Sequence, residues 1–263
     1  MSLWLLNHYS TFTLAFGTVG ATVVLAVAGT VLLRRRHPSL ARGEHNDMVG
    51  VTLGMFGAIY GIILAFVIVT LWTQLEEAQT IVAKEATSAA LITRDAAAFP
   101  KPVRERVDTA VSGYVHAVVE DQWPRMRAGN PSYGATEVHL QDAFQALQTY
   151  VPQSQAEQVF YEQAANQLND MAAQRRARIT MARQELPPLL QALAFGGALV
   201  LIPLTFLYGL RKMLVQVLFV ASVAALVAFS LLLVFVLDRP FSGDLSVSPA
   251  PYREGALAQY WPR

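Results

Sequence analysis

The 263-residue chain lacks cysteine, and only 15% of its residues are charged. An ordinary soluble domain carries about a quarter charged residues. The absence of cysteine excludes a disulfide scaffold, a zinc–thiolate centre and a cysteine nucleophile. The formal net charge of +1 provides no large positive field that would attract a phosphate backbone, so we expect no nucleic-acid partner.

The charge is missing from four long stretches of the chain. Residues 11–33, 48–72, 188–210 and 213–237 contain no Asp, Glu, Lys, Arg or His. Each stretch reaches the roughly 20 apolar residues that cross a hydrocarbon core about 30 Å thick. The first is too long for a cleaved signal peptide and has no basic segment before it. The sequence therefore predicts an integral membrane protein with four transmembrane helices in a lipid bilayer.

The segment between spans two and three, residues 74–187, has ordinary charge content and helical periodicity. We predict four helices here, the first continuing span two and the last continuing into span three, so that these two form an antiparallel pair. Their predicted ranges are 72–99, 103–126, 136–150 and 153–186. The fold class is all-α: four transmembrane helices plus a helical stalk domain. The predicted domains are spans one and two (1–73), the stalk (74–187), spans three and four (188–237) and a tail (238–263).

Charged side chains interrupt the apolar faces of the first and the last predicted stalk helix. Glu85 is the only charge on the face formed by every third or fourth residue from 75 to 99, and Arg175 interrupts the matching face of the last helix. Arg178 lies one turn further on. Antiparallel pairing predicts an ion pair of Glu85 with Arg175 or Arg178. The pair would either fix the register of the helices, as polar residues do at helical interfaces, or take part in gating.

Span two carries a row of small residues on one face. The row consists of Gly50, Gly54, Gly57 and Gly61. Small residues let helix backbones approach closely in lipid, so this face is predicted to pack against a helix of the same chain or of another subunit. The alternative is that this face, or the neighbouring face, lines a pore that apolar side chains gate by dewetting. The neighbouring face consists of Phe56, Tyr60, Ile63 and Val67.

Polar residues gather at one end of the spans. They are Glu44, His45, Asp47, Arg211 and Lys212. Asp47 or Asn46 would cap the helix of span two, where a negative charge also suits the positive end of the helix dipole. The alternative is an ion-binding or pH-sensing vestibule with His45 as the titrating group.

Motifs for enzymatic chemistry are absent from the sequence. His116 with Glu120, and His139 with Asp142, share helix faces but have no third ligand at metal-site spacing, as is usual for solvated faces. No phosphate-binding loop and no nucleophile motif occur. We therefore predict no enzyme, no metal and no cofactor. The spans also lack the ionisable residues that coupled transporters use, which leaves passive permeation through an oligomer.

The order and spacing of several residues resemble the bacterial bestrophin-like domain family, a group of four-span membrane proteins. The resemblance covers about residues 40 to 250. Its residues are Glu44, His45, Asn46, Gly50, Tyr60, Leu64, Phe66, Trp72, Ala78, Glu85, Ala86, Tyr114, Trp123, Arg175, Arg178, Asp238, Pro240, Phe241 and Gly243.

The resemblance implies a homo-oligomer with span two near the symmetry axis, a pentamer by analogy with bestrophins, which are pentameric anion channels. It also implies a cytosolic stalk. The charge pattern indicates the opposite orientation, because loops 34–47 and 211–212 hold six Lys and Arg residues against three in the tail. We therefore expect a bacterial inner-membrane protein whose stalk and termini lie outside the cytoplasm.

These observations leave three functional hypotheses. The first is a bestrophin-like oligomeric passive ion channel, selective for anions by analogy, whose mouth is formed by the polar residues at the span ends. The second is a membrane scaffold or sensor whose stalk binds another envelope protein. The third is an accessory subunit of a larger transporter.

Overall fold

The structure is a computed structural model that describes residues 2–39, 43 and 45–262. These residues form α-helices, one π-helical segment and short 3-10 turns, and no strand, so the predicted all-α fold is confirmed. The helices are α1 (Ser2–His8), α2 (Thr11–Arg36), α3 (Asn46–Ala96), α4 (Lys101–His116), α5 (Trp123–Arg127), α6 (Gly134–Gln148), α7 (Gln155–Arg183), α8 (Pro188–Phe206) and α9 (Met213–Leu237).

The chain divides into two compact units. The span unit comprises His8–Thr73 and Glu185–Asp238. The insert unit comprises Met1–Asn7, Gln74–Gln184 and Arg239–Arg263. Helix α3 runs through the boundary as one helix of 51 residues, as expected from a sequence without proline or glycine between Gly61 and Ala96.

The span unit consists of α2, the first half of α3, α8 and α9. The described residues contain four helical stretches long and apolar enough to cross a bilayer, which confirms the four predicted spans. Ala26, Val220 and Ala224 form a tightly packed cluster where α2 meets α9. Large apolar side chains point outward instead, such as Phe16, which is 83% exposed. Such a surface is stable in lipid and is not expected in water.

Helices α7 and α8 are separated by residues 184–187. Where the sequence predicted helix up to Leu186, α7 ends at Arg183 and Gln184 is extended. The Pro187–Pro188 pair explains the break, because a residue before proline avoids helical geometry and Pro188 suits the first turn of α8. Within the span unit, the Leu186 amide donates to Asp238 Oδ1 at 2.6 Å.

The insert unit is built on the periodic face of α3. Every third or fourth residue from Leu75 to Phe99 is buried, and Leu168, Met171 and Ile179 of α7 are completely buried. The second predicted stalk helix differs from the prediction, because Ala117–Gln122 is π-helical between α4 and α5. Pro124 explains this segment, since it lacks the N–H that an α-helix would bond to residue 120.

The tail packs within the insert unit. Phe241 and Tyr252 lie edge-on to Trp123, with ring centroids 5.6 and 6.1 Å away. His116 Nε2 lies 2.9 Å from the Tyr260 carbonyl oxygen, and the Tyr260 hydroxyl is 3.0 Å from Thr93 Oγ1. The segment that the sequence left as a separate tail is therefore part of the core of this unit.

Candidate functional site

The glycine face of α3 is largely unoccupied in the span unit. A Cβ atom added to Gly54, Gly57 or Gly61 would have no heavy atom within 4 Å, apart from its chain neighbours and its own helix backbone, and one added to Gly50 would lie 3.4 Å from the Tyr208 ring. The described part of the chain therefore supplies no close helix neighbour at three of the four glycines.

An open groove of about 820 Å³ runs along this face, between α3, α8 and α9. Most of its lining is apolar, and the polar groups include Tyr208 and Ser230. The lining residues include Leu53, Leu64, Ala65, Ile68, Leu201, Phe219, Val223 and Leu226 as well as the four glycines. A groove of this kind fits apolar groups such as a helix surface or lipid chains.

The neighbouring face of α3 is partly used for packing inside the span unit. Tyr60 and Val67 are each 5% exposed, and the Tyr60 hydroxyl donates to the Ala194 carbonyl at 2.6 Å. The Tyr60 ring occupies the space above Gly197, where a Cβ would lie 2.3 Å from the ring. Phe56 remains 45% exposed. Tyr60 therefore ties α3 to α8, and only part of this face is accessible.

A third face of α3 is the most exposed. It carries apolar side chains at intervals of three or four residues: Met48, Val51, Met55, Ile59, Ile62, Phe66 and Val69. This face lies opposite the buried residues Tyr60, Leu64, Val67 and Leu71. Its spacing of three or four residues is visible in the sequence, but this face was not predicted as a site.

The predicted mouth residues lie at one end of the span unit. His45, Asp47, Arg211 and Lys212 are all exposed, whereas Glu44 lies outside the described residues. Asn46 holds this end together, because its Nδ2 donates to the Gly209 carbonyl and its Oδ1 accepts from the Gly209 amide, both at 2.8 Å. Asn46 therefore uses its side chain as a tether between α3 and the turn after α8.

A buried ion pair lies in the insert unit. Arg178 Nε and Nη2 donate to the two carboxylate oxygens of Glu85 at 2.8 and 2.9 Å, and both side chains are 0% exposed. Of the two arginines that the spacing offered, Arg178 is the one that contacts Glu85. Arg175 instead donates to Thr136 Oγ1, to the Tyr133 carbonyl and to Glu137 Oε2.

Neutral groups complete the hydrogen bonding of this pair. The Tyr114 hydroxyl donates to Glu85 Oε1 at 2.5 Å, and Gln122 Oε1 accepts from Arg178 Nη2 at 2.6 Å. Burial, together with the charge of Glu85, raises the pKa of Tyr114 well above its ordinary value. Burial alone would lower the pKa of Arg178, but the neighbouring carboxylate outweighs this and raises it. Tyr114 and Gln122 therefore satisfy polar atoms of the pair in addition to the bonds between its two members.

Gln122 was missed as a site residue by the sequence analysis. It lies in the π-helical segment, and its Nε2 also donates to the Ser132 carbonyl at 2.6 Å. One signal was available, since Gln122 is a polar residue four positions after the buried Val118 and four before the buried Met126. The turn geometry that directs its side chain to Arg178 was not visible in the periodicity.

Comparison with known proteins identifies the family. The model of the bestrophin-like domain matches residues 20–252. The chain belongs to the bestrophin-like domain family. The resemblance seen in the sequence is thereby confirmed over most of the chain. No curated protein sequence matches the chain.

Solved structures show the same fold. One crystal structure of a point variant of a bacterial bestrophin homologue from Klebsiella pneumoniae matches with a TM-score of 0.66 at 12% identity, covering 92% of this chain and 97% of that one. Another point variant of a bacterial bestrophin homologue from Klebsiella pneumoniae matches with a TM-score of 0.60 at 13% identity, covering 94% and 97% of the two chains. At this identity the likeness establishes the fold alone.

Proposed function

We propose that the protein is a homo-oligomeric passive ion channel with the span-two part of α3 nearest the symmetry axis. The unoccupied glycine face carries this proposal, because Gly54, Gly57 and Gly61 have open space where helix backbones could approach closely. A second copy of the chain would supply the helix that fills the groove. Membership of the bestrophin-like family supports the same assembly, with five copies expected by analogy with bestrophins.

The chemistry of the span unit favours passive flow. Residues 48–72 contain no Asp, Glu, Lys, Arg or His, so span two lacks the side chains that usually couple transport to protons or cations. The exposed apolar face of α3 would line a constriction that opens by wetting. At the mouth, the cations Arg211 and Lys212 are matched in number by the acids Asp47 and Glu44, so selectivity for anions rests on the analogy with bestrophins. Glu44 completes the proposed mouth set.

Flux through liposomes tests the proposal. Purified full-length protein should release chloride from vesicles, and Gly57→Trp should change both the oligomeric state and the flux because it fills the groove. Gly20→Trp on α2 is the matched control, since Gly20 also has open space around it but does not line the groove. Absence of flux for chloride, sodium and potassium over a range of pH would remove the channel proposal.

The proposed location is the bacterial inner membrane, with the insert unit and both termini outside the cytoplasm. The excess of Lys and Arg in the short loops supports this orientation. Because the chain has no cysteine, single cysteines report accessibility cleanly. Ser39→Cys and Gln163→Cys replace exposed residues of the 34–47 loop and of α7. Only the second should react with a membrane-impermeant thiol reagent in intact cells, and the reverse pattern would place the insert in the cytosol.

A membrane scaffold that binds another envelope protein is the second candidate function. It is favoured by exposed apolar side chains of the insert unit, including Val138, Val151 and Val159, which are 60%, 71% and 49% exposed. This function predicts no flux and a co-purifying envelope protein that Val151→Asp with Val159→Asp removes. Flux with no such partner would favour the channel.

A further inference from the structure

Three consecutive arginines end α2, and only the first has polar partners among the residues that the structure describes. Arg34 turns inward, and its Nη1 donates to the Leu210 carbonyl at 3.1 Å and its Nη2 to Gln216 Oε1 at 2.9 Å. Arg35 and Arg36 are exposed and form no hydrogen bond or ion pair with any residue that the structure describes. Two cations therefore remain available at this end of the span unit.

A second groove is lined at one end by Arg36, and Arg35 is its neighbour in the sequence. It has a volume of about 310 Å³ and lies between α2 and the end of α8. Its lining residues are Gly29, Leu32, Leu33, Arg36, His37 and Phe206. A Cβ on Gly29 would lie 3.0 Å from the Phe206 ring, so the glycine lets this ring pack close to α2 and form the wall of the groove. The groove is thus apolar along its length and cationic at one end.

The charge around this end is positive. The two short connections, 34–47 and 207–212, contain two acids, Glu44 and Asp47, against six Lys and Arg residues. His37 and His45 add to the basic character. Such a region attracts anions. The cations directly follow the uncharged residues 11–33, which span a hydrocarbon core, so they lie at the depth of lipid head groups.

We propose that this groove binds an anionic phospholipid. Arg35 and Arg36 hold the phosphate, and one acyl chain lies against Leu32, Leu33 and Phe206. A free phosphate ion would use the arginines but leave the apolar groove empty, and a zwitterionic lipid would fill the groove with less attraction for the cations. Only an anionic lipid matches both parts. This site does not depend on whether the protein conducts ions.

Lipid binding to the full-length protein tests the proposal. Purified protein in detergent is titrated with phosphatidylglycerol or phosphatidylcholine, and bound lipids are counted by native mass spectrometry. We expect a preference for phosphatidylglycerol of about 25-fold, because each surface arginine contributes about a factor of five. Arg35→Gln with Arg36→Gln should remove this preference. Arg176→Gln is the control, since it removes an exposed cation of the insert unit.

Two further experiments separate the contribution of the lipid head group from that of its acyl chain. Leu32 is 66% exposed, so the Leu32→Trp variant should still fold. The larger side chain should fill the groove and weaken the binding of both lipids without changing the charge of the site. Glycerol phosphate, which has no acyl chain, should not displace the bound lipid. The proposal is overturned if wild-type protein binds both lipids equally, if the double arginine variant keeps its preference, or if glycerol phosphate or the association of a second copy displaces the lipid.

Discussion

The ion pair of Glu85 and Arg178 offers a quantitative test of the insert unit. Both side chains are 0% exposed, so Glu85→Gln removes the charge that balances a buried guanidinium. Breaking a buried pair in this way costs about 3–5 kcal/mol of unfolding free energy. Arg178→Met should cost a similar amount, because it leaves the buried carboxylate without its charged partner.

The double variant should cost much less than the sum of the two single variants. Once both charges are absent, neither has to be buried without its partner, so we expect a coupling energy of about 3 kcal/mol. The measurement uses the full-length protein in detergent at increasing urea concentrations. The rate of protease cleavage within residues 74–184 is recorded at each concentration. This reports the unfolding of the insert while detergent supports the spans.

Arg175 provides the matched control for this cycle. It is also a buried arginine of α7, but its contacts are with Thr136, Tyr133 and Glu137. Gln122 links Arg178 to Thr136, which Arg175 also contacts, so Glu85→Gln combined with Arg175→Met should show some coupling, but clearly less than the coupling of Glu85 with Arg178. Additive losses for Glu85 and Arg178, or strong coupling to Arg175 instead, would refute the arrangement.

Three other predictions follow from single contacts. Gly197→Ala should destabilise the protein by about 1–3 kcal/mol, since its Cβ would lie 2.3 Å from the Tyr60 ring, and Tyr60→Leu should relieve most of this loss in thermal unfolding. Asn46→Ala, which loses both hydrogen bonds to the turn after α8, should lower the melting temperature more than Asn46→Asp, which keeps one acceptor. Hydrogen bonds from the Tyr150 hydroxyl and a backbone amide lower the pKa of Glu157, so its stabilisation should be full above the ordinary pKa of 4.5 and disappear as the pH falls through the lower folded value. A difference between wild type and Glu157→Gln that does not shrink in acid would contradict the last prediction.

Local periodicity predicted the parts of the fold that depend on one helix at a time. The buried face from Leu75 to Phe99 follows from a spacing of three or four, because a helix repeats its side chains every 3.6 residues. The four spans follow from length and the absence of charge. The break at Pro187 was only partly predicted, since proline marks a boundary without fixing the residue at which the preceding helix ends.

Contacts between residues that are far apart in the sequence were harder to predict. Antiparallel pairing left two possible partners for Glu85, Arg175 and Arg178. They are three residues apart, and the sequence does not fix the register of two paired helices more closely than that. Gln122 reaches Arg178 from a π-helical turn, whose geometry has no periodic signature. The Tyr60 ring packs against Gly197, which is more than 100 residues away in the sequence, and no local pattern predicts such a contact. The tail packs by aromatic contacts on Trp123 and has no helical periodicity of its own.

The surroundings of Glu85 and Arg178 favour one of the two roles that the sequence left open for this pair. A gating element must exchange partners at modest cost. The side chains of Glu85 and Arg178 are fully buried, and they form hydrogen bonds with each other, with Tyr114 and with Gln122. Separating the pair would leave two charges buried, at a cost of several kcal/mol. Fixing the register of α3 and α7 requires no such movement. These contacts favour the register role. In the proposed channel, movement is better sought in the exposed apolar side chains of span two, such as Met55 and Phe66, which can change rotamer without breaking the buried Tyr60 hydrogen bond.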